Sequence, residues 1–555
     1  MEDTVLFRQI SSLAKVFLDD DPMRCPEISG ASALRGERIS WQILYKGSFR
    51  GKRKQQVTFT VQKDEAISLQ ISAVGSVPSR LPCRWDSVDE HYLRKTPGLY
   101  PDVLYPLEEQ AVTMVAENCH SLFLTATIPQ NLEPGEYPIR LTFCLEEETL
   151  EKVFTLRVLP VALPPQKTVY TQWFHADCIA SYYGLELLSE PHWDMMEKFI
   201  AMAAHCGINM LLTPIFTPPL DTAVGAERPT VQLLDISLDE TGYHFGFEKL
   251  RRWIRLCQKY GIHRFEMCHL FTQWGTGCTP KILVQTKNGT EKLFGWHKKA
   301  DSPEYREFLN ACIPALTGFL QEMGVYDNSF FHVSDEPSYE KNLEIYKTQR
   351  QMVAHLIPEE KLIEACSHTE FLEEGIIQKP VAITSSVDRF FEKGFTDIWA
   401  YTCCLPHDDN YSNRFMAMPS GRNRVVGFQL YTYGIGGFLH WGYNFYYSYL
   451  SRRPIDPFCQ TDAEETYPSG DAFSVYPGAN GPLESLRSVV FYEGLQDIRA
   501  CQLLESMVGR KRVLELIGPM KFNQYPATDE GILALRQRIN DAIAKELRYE
   551  CHGSH

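Results

Sequence analysis

The sequence lacks several patterns that would have indicated a protein class at once. No apolar run in its 555 residues is long enough to span a membrane, and its 16 cysteines include no Cys-x-x-Cys pair. No Gly-x-Gly-x-x-Gly motif follows a predicted strand, and no phosphate loop is present. We therefore expect no membrane partner, no bound metal and no nucleotide site, and no cofactor is predicted.

Positive charge is also scarce. The chain has 55 basic and 70 acidic residues, which gives a formal net charge of -15 at pH 7. A phosphate-binding surface needs a basic patch, so this balance argues against nucleic acid and anionic membranes as partners. The short basic run Arg50–Lys54 is more typical of an exposed turn. With 44% hydrophobic and 23% charged residues, the composition is that of a soluble globular protein, and the length predicts two to four domains.

The first residues carry no targeting pattern. Residues 1–5 do not contain a basic stretch followed by an apolar one, so no secretory signal is predicted. Without such a signal the cysteines are expected to stay reduced, and we predict a cytoplasmic location. Cys403 and Cys404 are adjacent, a spacing typical of neither a zinc site nor an ordinary disulfide.

What the sequence does contain begins with a region of period two. Apolar residues alternate with polar ones from about residue 39 to residue 159, as at Val57, Phe59 and Val61, and turn residues such as Glu133–Glu136 separate the segments. Short alternating strands of this kind are typical of a β-sandwich, which we predict for residues 1–163. The proline-rich stretch Leu159–Pro165 then predicts a stiff connection and a domain boundary.

After Pro165 the rhythm changes to alternating helices and strands. Helix-like segments repeatedly end in glycine and a β-rich run follows at once, because glycine readily takes the left-handed conformation that closes a helix. These glycines are Gly207, Gly261, Gly324, Gly394 and Gly434. The pattern predicts a (β/α)8 TIM-type barrel over residues 164–500, in a multidomain α/β chain. Residues 501–555 read as a C-terminal helical extension with one apolar face.

Polar and aromatic residues cluster where the predicted strands end, which in a barrel is one common face. They follow the first strand, the third to fifth strands and two later strands. The residues are Trp173, His175, Asp177, His269, Gln273, Trp274, His332, Ser367, His368, Trp399, Tyr401, His440, Trp441, Tyr443 and Asn444. Each alone is explained equally well by packing, and the accumulation is what predicts a site.

The adjacent acids Asp335 and Glu336 are the most informative feature. They follow the apolar run Asn328–Val333, which reads as a buried strand, and precede Pro337 and a helix-like stretch, 338–356. Burying two acids at the end of a core strand is costly unless they have a role. Neighbours on a regular strand point to opposite faces, and Pro337 favours a break at which both acids can face one ligand. The alternative is that one of them caps the following helix.

Carboxylates and aromatics at the mouth of a barrel favour glycoside hydrolysis. A general acid protonates the leaving oxygen, and a second group stabilises the positive charge that develops on the sugar. Two acids that act by direct displacement usually stand roughly 5 Å or more apart, on different strands. Adjacent acids suit a 2-acetamido sugar whose own carbonyl oxygen attacks to form an oxazolinium ion. Asp335 would then orient the amide, and Glu336 would serve as acid and base.

The chain resembles glycoside hydrolase family 123, the β-N-acetylgalactosaminidases, from about residue 40 to residue 500. The resemblance rests on six segments: Pro134–Tyr137, Val333–Pro337, Asp397–Tyr401, Gly436–Trp441, Gly470–Phe473 and Tyr476–Gly478. It implies a retaining, substrate-assisted mechanism and release of terminal β-linked N-acetylgalactosamine. Asp335 and Glu336 align with the catalytic pair of that family.

The predicted partner is a small oligosaccharide or the glycan of a glycoconjugate, and a homo-oligomer remains open. The predicted sugar-contact residues are His175, His269, Trp274, Trp399, Tyr401, Trp441 and Asn444. Three alternatives remain: a glycosidase for another sugar, a non-catalytic carbohydrate-binding protein, and a metal-dependent hydrolase. The last would have to use His407–Asp409 or His263 with His269, and neither grouping has standard ligand spacing.

Overall fold

The structure is a computed structural model that describes residues 4–145 and 148–552. These residues form two compact units. Unit 1 comprises the described parts of residues 1–167, 407–433 and 483–555, and unit 2 comprises residues 168–406 and 434–482. The domain boundaries predicted at residues 163/164 and 500/501 stay a prediction.

Unit 1 contains two five-stranded sheets, with strand orders β1-β3-β8-β5-β6 and β2-β10-β9-β4-β7. Their strands are β1 (Thr4–Ser11), β2 (Gly30–Arg35), β3 (Arg38–Ser48), β4 (Lys54–Gln62), β5 (Ser68–Ser79), β6 (Gly98–Pro106), β7 (Ala111–Val115), β8 (Cys119–Thr127), β9 (Gly135–Cys144) and β10 (Thr149–Ala162). All pairs are antiparallel except β2 with β10. Alternating residues such as Val57 and Phe59 enter one hydrophobic core that both sheets share.

Unit 2 is built on an eight-stranded parallel sheet. Its strands are β11 (Val169–Gln172), β12 (Met210–Thr213), β15 (Arg264–Met267), β18 (Ser329–Phe331), β19 (Glu364–Ala365), β20 (Pro380–Ile383), β21 (Trp399–Thr402) and β22 (Gly437–His440). Their order in the sheet is β18-β15-β12-β11-β22-β21-β20-β19, so strands that are consecutive in the chain are neighbours, except β18 and β19, which stand at the two ends of this order. A parallel bridge from Phe331 to Leu362 also links the two ends of this order.

Helices alternate with these strands, which confirms the predicted α/β character. They are α1 (Ala176–Tyr183), α2 (Glu190–His205), α3 (Glu248–Lys259), α4 (Pro303–Glu322), α5 (Tyr339–Val353), α6 (Glu370–Glu373) and α7 (Val387–Glu392). The predicted helix at 338–356 is α5, which begins one residue later and ends three residues earlier. Unit 2 also carries an inserted four-stranded sheet that the sequence did not indicate. It consists of β13 (Asp235–Asp239), β14 (Gly242–Gly246), β16 (Ile282–Thr286) and β17 (Gly289–Phe294).

The remaining elements complete the chain. A short pair, β23 (Tyr476–Gly478) and β24 (Gly481–Leu483), precedes the last helices. Unit 1 contains α8 (Gly421–Arg424), α9 (Val426–Tyr433), α10 (Leu486–Val508), α11 (Arg510–Ile517) and α12 (Asp529–His552). The apolar face predicted near the C-terminus is present, because Ile532, Leu535 and Ile539 of α12 are buried with residues of α10. Within the described part of the chain, no helix has the length and apolar character needed to cross a membrane.

Candidate active site

A cavity of about 130 Å³ in unit 2 brings five of the predicted site residues together. Asp335, Glu336, Trp274, Tyr401 and Trp441 all line it. The other lining residues are Trp173, Leu220, Asp221, Ala365, Cys403, Cys404, Leu439 and Tyr467. Most of them lie on or just after the carboxyl ends of the parallel strands, the edge where the sequence placed the site.

The loop after β18 positions the paired acids. The backbone N–H groups of Val333 and Ser334 donate to Glu364 Oε2 at 3.2 and 3.4 Å, and Ser334 Oγ donates to the Thr272 carbonyl at 2.8 Å. Glu336 then has a φ of 43°, in the left-handed region that non-glycine residues rarely adopt. This turn breaks the strand alternation, so both neighbouring carboxyls face one cavity. Such strain persists where the surrounding structure holds it, most often at functional sites.

Burial dominates the electrostatics of the pair. It raises the pKa of Asp335 well above its usual range, and the nearby carboxylates of Glu336, Glu364 and Asp221 add to the effect. Burial also raises the pKa of Glu336, while a hydrogen bond from Tyr401 Oη to Glu336 Oε1, 2.5 Å long, opposes that rise. Two carboxyls this close titrate as a unit. The pair therefore keeps a proton to higher pH than two solvent-exposed carboxyls would.

Two further carboxyls lie buried beside the pair. Glu364 accepts from Tyr346 Oη at 2.9 Å as well as from the loop, and burial raises its pKa to about 7. Glu266 accepts from Trp173 Nε1 at 2.8 Å and from His332 Nε2 at 2.5 Å. Glu266 and Glu364 do not line the cavity. The carboxyl groups that do line it are those of Asp221, Asp335 and Glu336.

Besides Asp335 and Glu336, a third carboxyl lines the cavity, that of Asp221 in the loop after β12. Tyr467 Oη donates to its Oδ1 at 2.8 Å and the Leu450 N–H donates to its Oδ2 at 3.2 Å. Burial raises the pKa of Asp221 to about 6, although these hydrogen bonds and the charge of Arg228 act in the opposite direction. Asp221 was not among the predicted site residues, because no polar residue was assigned to the end of the second predicted strand.

Aromatic side chains form much of the remaining wall. Trp441 Nε1 donates to Asp471 Oδ2 at 3.0 Å, and its ring lies edge-on to Tyr467 with centroids 5.2 Å apart. Trp274 is 39% exposed, and its backbone N–H donates to the Asp335 carbonyl at 3.0 Å. Tyr467 was also missed, since it follows no predicted strand. A wall of this kind presents flat apolar faces next to carboxylates, as a sugar-binding subsite does.

Two predicted contact residues, His175 and Asn444, do not line the cavity and are joined to each other by two hydrogen bonds. The His175 N–H donates to Asn444 Oδ1 at 2.8 Å, and Asn444 Nδ2 donates to the His175 carbonyl at 3.1 Å. Burial and the charge of Arg228 lower the pKa of the His175 ring to about 3. Both residues support the loop that carries Trp441, whose carbonyl accepts from His175 Nε2 at 3.0 Å.

The structure does not bring the other two predicted contacts, His269 and Trp399, to the cavity wall either. His269 is fully buried and stacks on His332 at 4.3 Å between centroids, with burial lowering its pKa well below the usual range. Trp399 opens β21, two residues before Tyr401, and packs edge-on against Phe330 at 5.6 Å. Its ring covers Gly437, where a side-chain Cβ would approach it to 2.1 Å. The sugar-contact roles of these residues stay a prediction.

No metal centre is evident in the part of the chain that the structure describes. There, no group of three or more His, Cys, Asp or Glu side chains could hold a metal ion. His407 instead donates from Nδ1 to the Ser87 carbonyl at 2.9 Å, and Asp408 accepts from Ser87 Oγ at 2.6 Å.

Comparison with protein families gives one assignment. The family model described as "Glycoside hydrolase 123, catalytic domain" matches residues 173–504, which include every lining residue of the cavity. No curated protein sequence matches the chain.

Comparison with solved structures identifies a similarity over nearly the full length of the chain. A family 123 glycoside hydrolase from Clostridium perfringens, described in terms of glycolipid glycan hydrolysis, matches with a TM-score of 0.72 and 14% identity over 98% of this chain and 99% of that one. A beta-glucuronidase from Parabacteroides merdae matches with a TM-score of 0.30 and 11% identity over 88% of this chain and 51% of that one. The first similarity shows a shared fold, and the second is too weak to show one.

Proposed function

Because the chain belongs to glycoside hydrolase family 123, and is therefore a glycosidase, we propose that it is a retaining exo-β-N-acetylgalactosaminidase that works by substrate-assisted catalysis. The substrate would be the terminal sugar of an oligosaccharide or of a glycoconjugate. The eight-stranded parallel sheet would act as a (β/α)8 barrel that carries the reaction at its carboxyl edge.

In the proposed first step the acetamido carbonyl oxygen attacks the anomeric carbon while the glycosidic C–O bond breaks. Glu336 donates its proton to the leaving oxygen, and an oxazolinium ion forms. Asp335, as a carboxylate, accepts from the acetamido N–H and offsets the positive charge on that nitrogen. Water then attacks the anomeric carbon, the bond from that carbon to the acetamido oxygen breaks and restores the amide, Glu336 takes a proton from the water, and the product keeps the β configuration.

The observation that carries this proposal is the turn at Glu336, which lets two consecutive carboxyls line one cavity. Direct displacement with retention needs an acid and a nucleophile on opposite sides of one bond, roughly 5 Å apart. Consecutive residues are better placed to hold two parts of the same sugar, its leaving oxygen and its 2-substituent. The raised pKa of Glu336 suits an acid that must hold its proton at higher pH than a solvent-exposed glutamate does.

A change in proton position on binding is part of the proposal. In the empty site Tyr401 stabilises the ionised form of Glu336, which favours the shared proton on Asp335. An acetamido N–H that donates to Asp335 would stabilise that carboxylate instead and move the proton to Glu336. Only a substrate with the 2-acetamido group would then place the proton on Glu336, where it is needed for the reaction. This links recognition of the sugar to readiness for the reaction.

The test is a panel of 4-nitrophenyl β-glycosides of N-acetylgalactosamine, N-acetylglucosamine, galactose and glucose. We expect turnover of the acetamido sugars alone, with N-acetylgalactosamine preferred. A thiazoline mimic of the oxazolinium ion should inhibit strongly, because it has the shape and charge of the intermediate. Trapping of a 2-deoxy-2-fluoro sugar on Asp335 or Glu336, or an inverted product by NMR, would refute the mechanism.

A further inference from the structure

The cavity wall has an uneven charge distribution. Three of its lining side chains are carboxyls, those of Asp221, Asp335 and Glu336, and none of the described residues that line it is a lysine, arginine or histidine. Arg228, which influences Asp221, is fully buried and already occupied: its guanidinium donates to both oxygens of Asp177, at 2.9 and 2.7 Å. A ligand in the cavity therefore meets three carboxyl groups and, among the described lining residues, no cation.

Asp221 is the carboxyl of this set that the proposed reaction leaves unused. The structure holds it firmly, since Ser451 Oγ donates to its backbone carbonyl at 2.6 Å in addition to the two hydrogen bonds on its side chain. Its φ of 41° is a further left-handed, non-glycine conformation at this site. Each carboxylate oxygen accepts only one of these hydrogen bonds, so each keeps a lone pair for a ligand hydroxyl.

On this basis we infer that Asp221 is a specificity-determining residue, which accepts a hydrogen bond from a sugar hydroxyl and excludes sugars that carry a negative charge. This inference rests on the proposed glycosidase function and adds the substrate class: neutral hexosaminides, not sulfated ones or uronides. A hydroxyl donor satisfies a buried carboxylate, whereas a sulfate or carboxylate brought to hydrogen-bond distance repels it strongly at low dielectric.

The alternative role for Asp221 is purely structural. Its two side-chain hydrogen bonds join the loop after β12 to the loops at Leu450 and Tyr467, and a loop clamp needs no contact with a sugar. A clamp would affect neutral and anionic ligands equally when it is lost. A charged recognition group would affect the two unequally, and this difference decides between the roles.

The experiment measures dissociation constants of N-acetylgalactosamine and its 6-sulfate by isothermal titration calorimetry. Wild type should prefer the neutral sugar at least about tenfold at pH 7.5 and low salt. Asp221→Asn should weaken binding of the neutral sugar several-fold and reduce the preference to about threefold or less. Tyr467→Phe removes the hydroxyl that holds Asp221 but keeps the carboxylate, so it should retain most of the preference. Asp239→Asn, which removes one charge from an exposed turn, should behave as wild type.

An equal loss of affinity for both sugars in Asp221→Asn, or no change for either, would overturn the inference. So would a wild type that binds the sulfated sugar as tightly as the neutral one. Binding does not require the acid–base step, so these outcomes are separate from failure of the proposed function, which would appear as no turnover of any acetamido glycoside. Thermal melts of each variant show whether the fold is kept.

Discussion

The hydrogen bond from Tyr401 to Glu336 allows a direct test of the protonation states proposed for Asp335 and Glu336. Tyr401 Oη lies 2.5 Å from Glu336 Oε1, and its hydrogen bond favours the ionised carboxyl over the protonated one. A hydrogen bond to a charged group contributes about 1.5–3 kcal/mol, and 1.36 kcal/mol corresponds to one pKa unit. Tyr401→Phe should therefore make ionisation of the pair harder by about one to two pH units in total.

The direction follows from the states that the pair can occupy. Asp335 and Glu336 together hold two protons, one proton or none. Loss of the first proton gives the acid limb of a bell-shaped pH profile, and loss of the second gives the alkaline limb. Only states with an ionised Glu336 lose the hydrogen bond, and these have fewer protons. The sum of the two apparent pKa values must then rise, whichever carboxyl holds the single proton.

The assay is kcat/KM of the 4-nitrophenyl acetamido glycoside between pH 4 and pH 10. Tyr447→Phe is the matched control, because its hydroxyl bonds Ser181 Oγ at 2.7 Å and it does not line the cavity. That variant should leave both limbs in place. A Tyr401→Phe profile that does not move, or that moves to lower pH, would refute the role given to this hydrogen bond.

Three further predictions concern the same unit. Glu336→Gln should lower turnover of glycosides with poor leaving groups by about 10²–10⁴-fold and that of activated aryl glycosides far less; equal losses would contradict its role as the acid. Glu364 has its pKa raised to about 7 by burial, so wild-type stability should fall as pH rises from about 4.5 to 7, by up to about 3 kcal/mol, and Glu364→Gln should flatten that fall in urea titrations. Trp399→Ala should lower stability by about 3–5 kcal/mol with little change in KM, whereas Trp441→Ala should raise KM in a folded enzyme; the reverse result would place Trp399 at the sugar.

Much of the fold was readable because local patterns carry it. Period-two alternation in β4 and the repeated helix–glycine–strand units reflect which face of each element is buried. The buried face appears in the sequence as apolar residues at regular short intervals, so it can be recognised locally. The strands expected after Gly261 and Gly434 are present as β15 (Arg264–Met267) and β22 (Gly437–His440). The inserted four-stranded sheet was not predicted, because its strands are short and only partly buried, and their alternation is weak.

The chain alone determined that two acids and a proline follow a core strand, since these residues are close neighbours in sequence, although the strand itself, Ser329–Phe331, ends earlier than the apolar run Asn328–Val333 predicts. The sequence could not determine which aromatic residues line the cavity. Trp399 and Tyr401 lie two residues apart on one strand, yet Trp399 packs against Gly437 whereas Tyr401 donates a hydrogen bond to Glu336. Asp221 and Tyr467 are 246 positions apart, and the sheet order, in which only β11 separates β12 from β22, brings them together. Contacts between distant loops depend on the packing of the whole unit, and no local pattern records that packing.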